Sequence, residues 1–215
     1  FVFSASVANN GKYMGDAAAH EVGHSFGLHH DGTNAGPGGT PAATGYYYCQ
    51  GNWAPIMGVG YNKPTSQWSI GEYSLANNQE DDVAIISSIA PYVPDSEGSP
   101  AVPVALGTLP ASTGGVIATR TDVDTFSINT GGTFTVTLAN RAPNPTLDAS
   151  VTIRNASGTV VASADPAGVA GVTLPFTGPQ GTYTISIDGV GSLDPVSTGY
   201  SDYASIGAYR LSVTG

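Results

Sequence analysis

All four histidines of the chain lie within residues 20–30, and three of them have the spacing of metal ligands. His20 and His24 are four residues apart, so on a helix their side chains project from the same face. Gly27 can end such a helix and turn the chain back, which would bring His30 to the same point. Three imidazoles with a fourth position left open are the ligand set of a catalytic rather than a structural zinc site.

Glu21 directly follows the first of these histidines. From this position a carboxylate can reach a water molecule on the zinc ion without being a ligand itself. We predict that Glu21 is the catalytic base, which takes a proton from that water and passes it to a leaving amine. The register favours His30 over His29 as third ligand, so His29 is predicted to lie at the surface or behind the ligands.

Two helices and one strand are predicted around these residues. Asp16 is a suitable N-cap for a helix over residues 17–26, which carries the first two histidines. A second helix is predicted to begin near Asn78, with acidic residues in its first turn and one apolar face. The opening segment FVFSASV alternates like a strand, and residues 31–52 have the Gly, Pro, Thr and Asn content of a loop.

The composition excludes several classes of partner. The net charge is −10 with only six Lys and Arg residues, so neither nucleic acid nor an anionic membrane surface is expected to bind. No apolar run approaches the roughly 20 residues of a membrane-spanning helix. An acidic, lysine-poor chain suits an extracellular protein that can hold calcium. The chain shows no signal peptide and opens like an internal strand, so we expect a fragment of a longer, secreted precursor.

The two halves of the chain differ in composition. Residues 1–93 contain every His, Trp, Met and Cys, whereas residues 101–215 are rich in Thr, Val, Ser and Gly. Residues 94–100, with Pro, Ser and acidic side chains, are predicted to be a linker. The second half has several short alternating segments, which predict an all-β antiparallel sandwich. These segments are DTFSIN, GTFTVTLA, ASVTIRN, TVVASA, GVTLPF, GTYTISIDG and AYRLSVTG.

The segment from His20 to His30 matches the pattern H-E-x-x-H-x-x-G-x-x-H at every fixed position, so the chain resembles the metzincin zinc peptidases. This resemblance implies a Met-turn, in which Met57 of the segment APIMG would lie beneath the histidines. Asp31, directly after the third histidine, is similar to the adamalysin/reprolysin branch, where this Asp braces the floor of the active site. The segment GEYSLANNQEDDVAII resembles reprolysin-like peptidases of bacterial secreted proteins.

The chain departs from metzincins at two points. Astacins and serralysins carry a Tyr two residues after the Met, where this chain has Val59; Tyr61 is then the candidate for oxyanion stabilisation, with packing as its alternative role. Metzincins also place a twisted sheet before the motif, whose edge strand pairs with the substrate. Only residues 1–19 precede the motif here. We therefore expect a partial α+β catalytic domain of active-site helix, Met-turn and C-terminal helix, which an upstream segment or a second chain would complete.

The second half resembles the pre-peptidase C-terminal domain, a small β-sandwich module of secreted bacterial peptidases. The resemblance rests on the segment DVDTF at residues 122–126 and on GTYTI at residues 181–185. Four carboxylates are candidates for calcium ligands at strand ends, with ordinary turn positions as the alternative; they are Asp122, Asp124, Asp148 and Asp202. Tyr200, Tyr203 and Tyr209 are candidates for an exposed aromatic face, for a Tyr corner or for core packing.

Two functions are compatible with these patterns. The first is a secreted zinc endopeptidase that acts on protein or peptide substrates and carries a β-sandwich accessory module. The second is an extracellular adhesion or structural protein, in which the sandwich carries the function and the zinc site is a relic. The intact Glu21 favours the enzyme, because a relic site has no need of its base. Cys49 cannot form a disulfide within the chain and is either idle or bridged to an upstream Cys.

Overall fold

A computed structural model describes residues 2–142 and 144–215. These residues form two compact units. The first unit extends to Tyr92 and also includes two later segments, Ala142–Thr146 and Gly191–Ala204. The second unit consists of the remaining segments, Val93–Arg141, Leu147–Val190 and Ser205–Gly215. The predicted division at residues 93 and 100 stays a prediction.

The first unit contains two α-helices and one pair of short strands. Helix α1 (Gly11–Ser25) and helix α2 (Asp82–Ile89) are its main elements. Strands β1 (Trp53–Pro55) and β2 (Thr65–Gln67) pair in parallel. Two short 3-10 helices complete the list, at Ser4–Val7 and Pro37–Gly39. Within the described residues, neither helix combines the length and the apolar composition that a bilayer span requires.

Helix α1 begins earlier than its sequence predicts. The side chain of Asn10 accepts hydrogen bonds from the backbone N–H groups of Lys12 and Tyr13, so Asn10 is the N-cap. Asp16, predicted as the cap, lies inside the helix and accepts a 2.5 Å bond from the Lys12 ammonium. The predicted strand FVFSASV is also wrong over its described residues 2–7, which include a 3-10 helix with exposed or half-buried side chains and no strand; Phe1 lies outside the described residues.

Helix α2 begins later than predicted, at Asp82. The Asn78 side chain accepts a 3.0 Å bond from the Glu80 N–H, a local turn that competes with helix formation. The Asp81 side chain then accepts a 2.9 Å bond from the Ala84 N–H and so caps the helix. Residues 78–80 therefore remain available for bonds outside the helix.

Aromatic rings form the buried cluster of the first unit. Trp53, Tyr73 and Tyr200 are all buried, and Tyr200 comes from the late segment Gly191–Ala204. Gln50 holds the same segment, because its amide nitrogen donates a 2.5 Å bond to the Gly199 carbonyl. For Tyr200 the structure therefore supports the alternative of core packing over that of an exposed aromatic face.

The same late segment also reaches helix α2. The Tyr203 hydroxyl accepts a 2.8 Å bond from the Val83 N–H and donates a 2.5 Å bond to the Asp81 carboxylate. In the second unit, Tyr209 is likewise buried and belongs to the sheet core.

The second unit is a largely antiparallel β-sheet domain, as predicted. Its strands are connected in the order β3-β4-β6-β9-β7-β8, and β10 pairs with β5 and β6. In the part of this unit that the structure describes, β4 and β6 pair in parallel and the other strand pairs are antiparallel. The strands are β3 (Gly98–Ser99), β4 (Val102–Ala105), β5 (Ala111–Ile117), β6 (Val123–Asn140), β7 (Ala149–Asn155), β8 (Val160–Ala164), β9 (Val172–Gly189) and β10 (Gly207–Thr214).

The short strands β3 and β4 were not predicted, and the prediction also differs from the structure at β5, β6 and β9. DTFSIN and GTFTVTLA are the two ends of the single strand β6, which is interrupted by a register shift between Thr130 and Gly132. GVTLPF and GTYTISIDG likewise join in β9. Strand β5 escaped prediction because it contains two glycines. One of them, Gly115, leaves room for the Tyr209 ring, since a Cβ there would lie 2.2 Å from the Tyr209 hydroxyl.

Candidate metal centre

The structure brings His20, His24 and His30 together. One ring nitrogen from each lies within 4.8 Å of the other two. The first two project from helix α1, and the third comes from the turn that follows it. That turn depends on Gly27, whose φ of 95° is a conformation that other residues resist, and on the bond from the Leu28 N–H to the Gly23 carbonyl.

Two backbone carbonyls orient the first two imidazoles. His20 Nδ1 lies 2.8 Å from the Ile56 oxygen, and His24 Nδ1 lies 2.8 Å from the Leu28 oxygen. A carbonyl oxygen only accepts, so each Nδ1 carries the proton and each Nε2 presents a lone pair. Such outer bonds are typical of metal-binding histidines, whose other nitrogen binds the ion.

The donor set fits a zinc ion. The Nε2 atoms of His24 and His30 are 3.0 Å apart. Two ligands of a tetrahedral zinc ion, each at about 2.0–2.1 Å, are separated by about 3.3 Å, which differs little from this distance. Burial and the neighbouring His20 and His24 lower the pKa of His30, which favours the neutral form that binds metal.

Met57 lies under helix α1 and is fully buried. A Cβ at Gly23 would lie 2.5 Å from the Met57 sulfur, so this position needs glycine for close approach. The Met57 carbonyl accepts a 2.9 Å bond from the Asp31 N–H. The methionine is thus joined through the backbone to the residue after the third histidine.

The Asp31 side chain is buried, with 2% of its surface exposed. Its Oδ1 accepts a 3.3 Å bond from the Tyr73 hydroxyl, which also donates a 2.9 Å bond to the Gly32 carbonyl. Burial raises the pKa of Asp31 to about 7. Glu21 is exposed on α1 and close enough to His30 to favour the charged form of that imidazole.

Two sequence candidates occupy other positions. The Tyr61 ring stacks on Tyr13 with centroids 5.2 Å apart, which supports its packing role. His29 is exposed, and its Nδ1 lies 2.6 Å from the Glu80 carboxylate. The sequence did not predict this partner of His29.

The sequence also did not predict Tyr46, whose ring centroid is 4.2 Å from that of His30. The one feature of the sequence that could have indicated it is the run of three tyrosines at residues 46–48.

Glu80 holds both the side chain and the backbone of His29. Besides the Nδ1 bond, its Oε2 accepts a 2.9 Å bond from the His29 N–H. We expect Glu80→Ala to raise the zinc dissociation constant by about 3–10-fold, less than the 10–100-fold typical of a direct partner of a metal ligand, because Glu80 holds His29, the neighbour of the proposed ligand His30. Competition with a chromogenic chelator measures this constant. Gln79→Ala, at the exposed neighbouring position, is the matched control, and equal affinities in the two variants would contradict the prediction.

A second cluster of ligand atoms lies in the second unit. Carboxylate oxygens of Asp95, Glu97 and Asp124 lie within 4.8 Å of one another. Asp124 is 0% exposed; its Oδ2 accepts a bond from Tyr209, and its Oδ1 is buried without a hydrogen-bond partner. Burial, together with the charges of Asp122 and of the two linker carboxylates, raises the pKa of Asp124 to about 7.

The four calcium candidates from the sequence are therefore separated. Asp124 belongs to this cluster together with two carboxylates of the predicted linker, whereas Asp122 is not a member and only helps to raise the pKa of Asp124. Asp148 is buried elsewhere in the second unit, where its Oδ2 accepts a 3.3 Å bond from the Gly168 N–H. Asp202 belongs to the first unit. Among the described residues, neither of these two joins a potential metal-binding group.

Comparisons with known proteins give a family match for the N-terminal part of the chain. Residues 1–90 match the family model described as metallo-peptidase family M12B, reprolysin-like. No curated protein matches the sequence. Among solved structures, the pre-peptidase C-terminal domain of collagenase from Bacillus anthracis is similar at 15% identity, over 56% of this chain and 97% of that one, with a TM-score of 0.39.

Two further solved structures are similar at the same low level. The periplasmic lysozyme inhibitor PliG of Aeromonas hydrophila has 13% identity over 52% of this chain and 95% of its own, with a TM-score of 0.35. The Yersinia pseudotuberculosis-derived mitogen has 14% identity over 49% of this chain and 86% of its own, with a TM-score of 0.34. Residues 1–90 thus resemble reprolysin-like metallopeptidases of family M12B, and a largely antiparallel β-sheet domain follows them.

Proposed function

We propose that this protein is a secreted zinc endopeptidase that hydrolyses peptide bonds in protein or peptide substrates. The observation that carries the proposal is the convergence of three imidazoles, two of which have their Nδ1 protons tied to backbone carbonyls. In this proposal His20, His24 and His30 hold the ion, and Met57 is the residue of the Met-turn. Zinc bound there would supply Lewis-acid activation of water and of the scissile carbonyl.

Glu21 moves the proton in the proposed reaction. Its carboxylate is exposed on the same helix as His20 and His24 and lies close to His30. It takes the proton from the attacking water and gives it to the amine that leaves when the peptide bond breaks. The carbonyls of Ile56 and Leu28 keep the ligand rings in one orientation, so the site is organised before substrate arrives.

Metal content and chelator-sensitive cleavage test the proposal together. We expect one zinc ion per chain by mass spectrometry, cleavage of a quenched casein substrate, loss of cleavage with a chelator, and recovery with added zinc. Zinc without cleavage would favour the alternative in which the β-sheet domain carries the function. A protein that binds no zinc would overturn the assignment of the ligands.

We also propose that the carboxylate cluster of the second unit binds calcium. Calcium takes six to eight oxygen ligands and prefers carboxylates. The supporting observation is the Asp124 Oδ1 atom, which is buried without a partner beside Asp95 and Glu97. A buried, unpaired carboxylate oxygen is costly, and a cation at this point would satisfy it.

Asp95→Asn tests the calcium proposal with a small change. The Asp95 Oδ1 accepts a 2.9 Å bond from the Glu97 N–H, which an Asn oxygen can also accept, so only the charge is lost. We expect calcium affinity, measured by titration calorimetry on the full chain, to fall about 10-fold or more because affinity follows the ligand charge count. Asp165→Asn, at an exposed turn, is the control. Equal calcium affinity in wild type and Asp95→Asn would refute the site.

A further inference from the structure

Tyr46 lies directly beside the proposed metal centre. Its ring centroid is 4.2 Å from that of His30 and 6.1 Å from that of His20. The side chain is 39% exposed, so it packs on the imidazoles with part of its surface and faces solvent with the rest. A group bound at the open position between the histidines would therefore be near this side chain.

The backbone on both sides of Tyr46 is fixed. Before it, Thr44 and Thr33 exchange two backbone bonds, of 2.9 and 3.0 Å. After it, the Tyr47 N–H donates a 2.6 Å bond to the Asp31 carbonyl, and the Tyr47 carbonyl accepts a 2.9 Å bond from the Val59 N–H. These bonds tie the segment to the loop that carries the third histidine and to the chain that follows Met57. The position of the ring is thus set by the fold.

The hydroxyl of Tyr46 has no hydrogen-bond partner among residues 2–142 and 144–215. The hydroxyl of its neighbour Tyr47 is used structurally, because it donates a 3.0 Å bond to Gln50. The Tyr46 hydroxyl thus remains available as a donor to a ligand. The Tyr48 ring, 64% exposed, has no contact with the histidine rings and is a natural comparison.

The first unit has few other groups that could stabilise negative charge. It contains two Lys and no Arg. Lys12 is paired with Asp16, and Lys63 donates a 2.9 Å bond to the Gly51 carbonyl. Neither ammonium is free to serve the histidine cluster. The phenolic O–H of Tyr46 is the polar donor that the fold places there.

We propose that Tyr46 is a catalytic residue whose hydroxyl donates a hydrogen bond to the scissile carbonyl oxygen as that oxygen becomes negative. The inference rests on the proposed peptidase function. No bond to Tyr46 forms or breaks: the hydroxyl keeps its proton and only stabilises developing charge. Such a donor acts more on the transition state than on the substrate, so it affects kcat more than KM.

Tyr46→Phe is the direct test, because it keeps the ring on His30 and removes only the hydroxyl. We expect kcat for a quenched peptide to fall about 10²-fold, the typical cost of losing one oxyanion donor, with KM and zinc content nearly unchanged. Tyr48→Phe, in the same run of tyrosines, is expected to behave as wild type. Wild-type kcat in Tyr46→Phe would overturn the inference.

A second readout does not depend on turnover. A phosphinic peptide replaces the scissile bond by a tetrahedral anion, and its binding to cobalt-loaded protein is measured from the visible absorption of the cobalt ion. We expect its dissociation constant to rise at least 10-fold in Tyr46→Phe and not in Tyr48→Phe. Equal constants in wild type and Tyr46→Phe would overturn the role of the hydroxyl. Wild-type protein that binds no metal would instead show that the proposed function itself fails.

Discussion

Glu21→Gln is expected to lower kcat for peptide cleavage by about 10²–10⁴-fold, the range of a lost general base, while zinc stays bound. Glutamine has nearly the same shape as glutamate but cannot accept a proton from water. Glu21 is absent from the cluster of three ring nitrogens, so its replacement leaves the ligand set intact. Loss of activity without loss of metal is the result that separates a base from a ligand.

Zinc content by mass spectrometry and kcat on a quenched peptide are to be measured on the same protein samples. Glu72→Gln is the matched control, since it makes the same chemical change in the first unit at a residue outside the proposed machinery. We expect this control to retain wild-type kcat. Full activity in Glu21→Gln would contradict the assigned base, and loss of zinc in that variant would show that Glu21 helps to hold the ion.

Local spacing was enough to predict the centre of the candidate site. His20 and His24 share one helix face, and Gly27 has the positive φ that a turn towards His30 requires. These residues lie within the eleven-residue segment from His20 to His30, so helical periodicity and turn chemistry specify their arrangement without help from the rest of the fold. The family match of residues 1–90 agrees with the same motif.

The parts of the site that escaped prediction depend on contacts between distant residues. Glu80 bonds to His29 across 51 positions, and the Tyr46 ring reaches His30 only because its segment bonds to Asp31 and Val59. Neither hydrophobic periodicity nor capping residues in the sequence indicate contacts between such distant residues. Local hydrogen bonds explain why the predicted start of α1 was wrong. The Asn10 side chain accepts hydrogen bonds from two backbone N–H groups, so α1 begins before Asp16.

The division of the chain into halves also misses long-range contacts. A boundary near residue 93 follows from composition, yet the segments Ala142–Thr146 and Gly191–Ala204 pack with the first unit. The Asn144 amide donates a 2.8 Å bond to the Lys12 carbonyl and a 3.1 Å bond to the Asp16 carboxylate. A Cβ at Gly15 would lie 2.3 Å from that amide nitrogen, so this glycine allows the loop to reach the helix. The amino-acid composition does not indicate that this loop contacts the helix.

Tyr200→Ala is expected to lower the free energy of unfolding of the first unit by about 3–5 kcal/mol, the usual cost of truncating a buried aromatic residue. Tyr200 is 5% exposed and belongs to the cluster with Trp53 and Tyr73. Tyr73 also donates a bond to Gly32, two residues after the third histidine, so weakening this cluster should weaken zinc binding too. Leu193→Ala changes a residue of the same segment that is 79% exposed, and it should cost almost nothing.

The same reasoning predicts that residues 1–93 alone do not form the metal site. Such a fragment lacks Tyr200, the Gly199 carbonyl that pairs the buried Gln50 amide, and the Asn144 contact with α1. An unpaired buried amide costs about 1–3 kcal/mol, and losing the aromatic contact adds a cost similar to that of Tyr200→Ala. Near-ultraviolet circular dichroism and zinc stoichiometry of the fragment and the full chain provide the comparison. A fragment that binds one zinc ion as tightly as the full chain would show that the late segments are dispensable and that the two halves are independent.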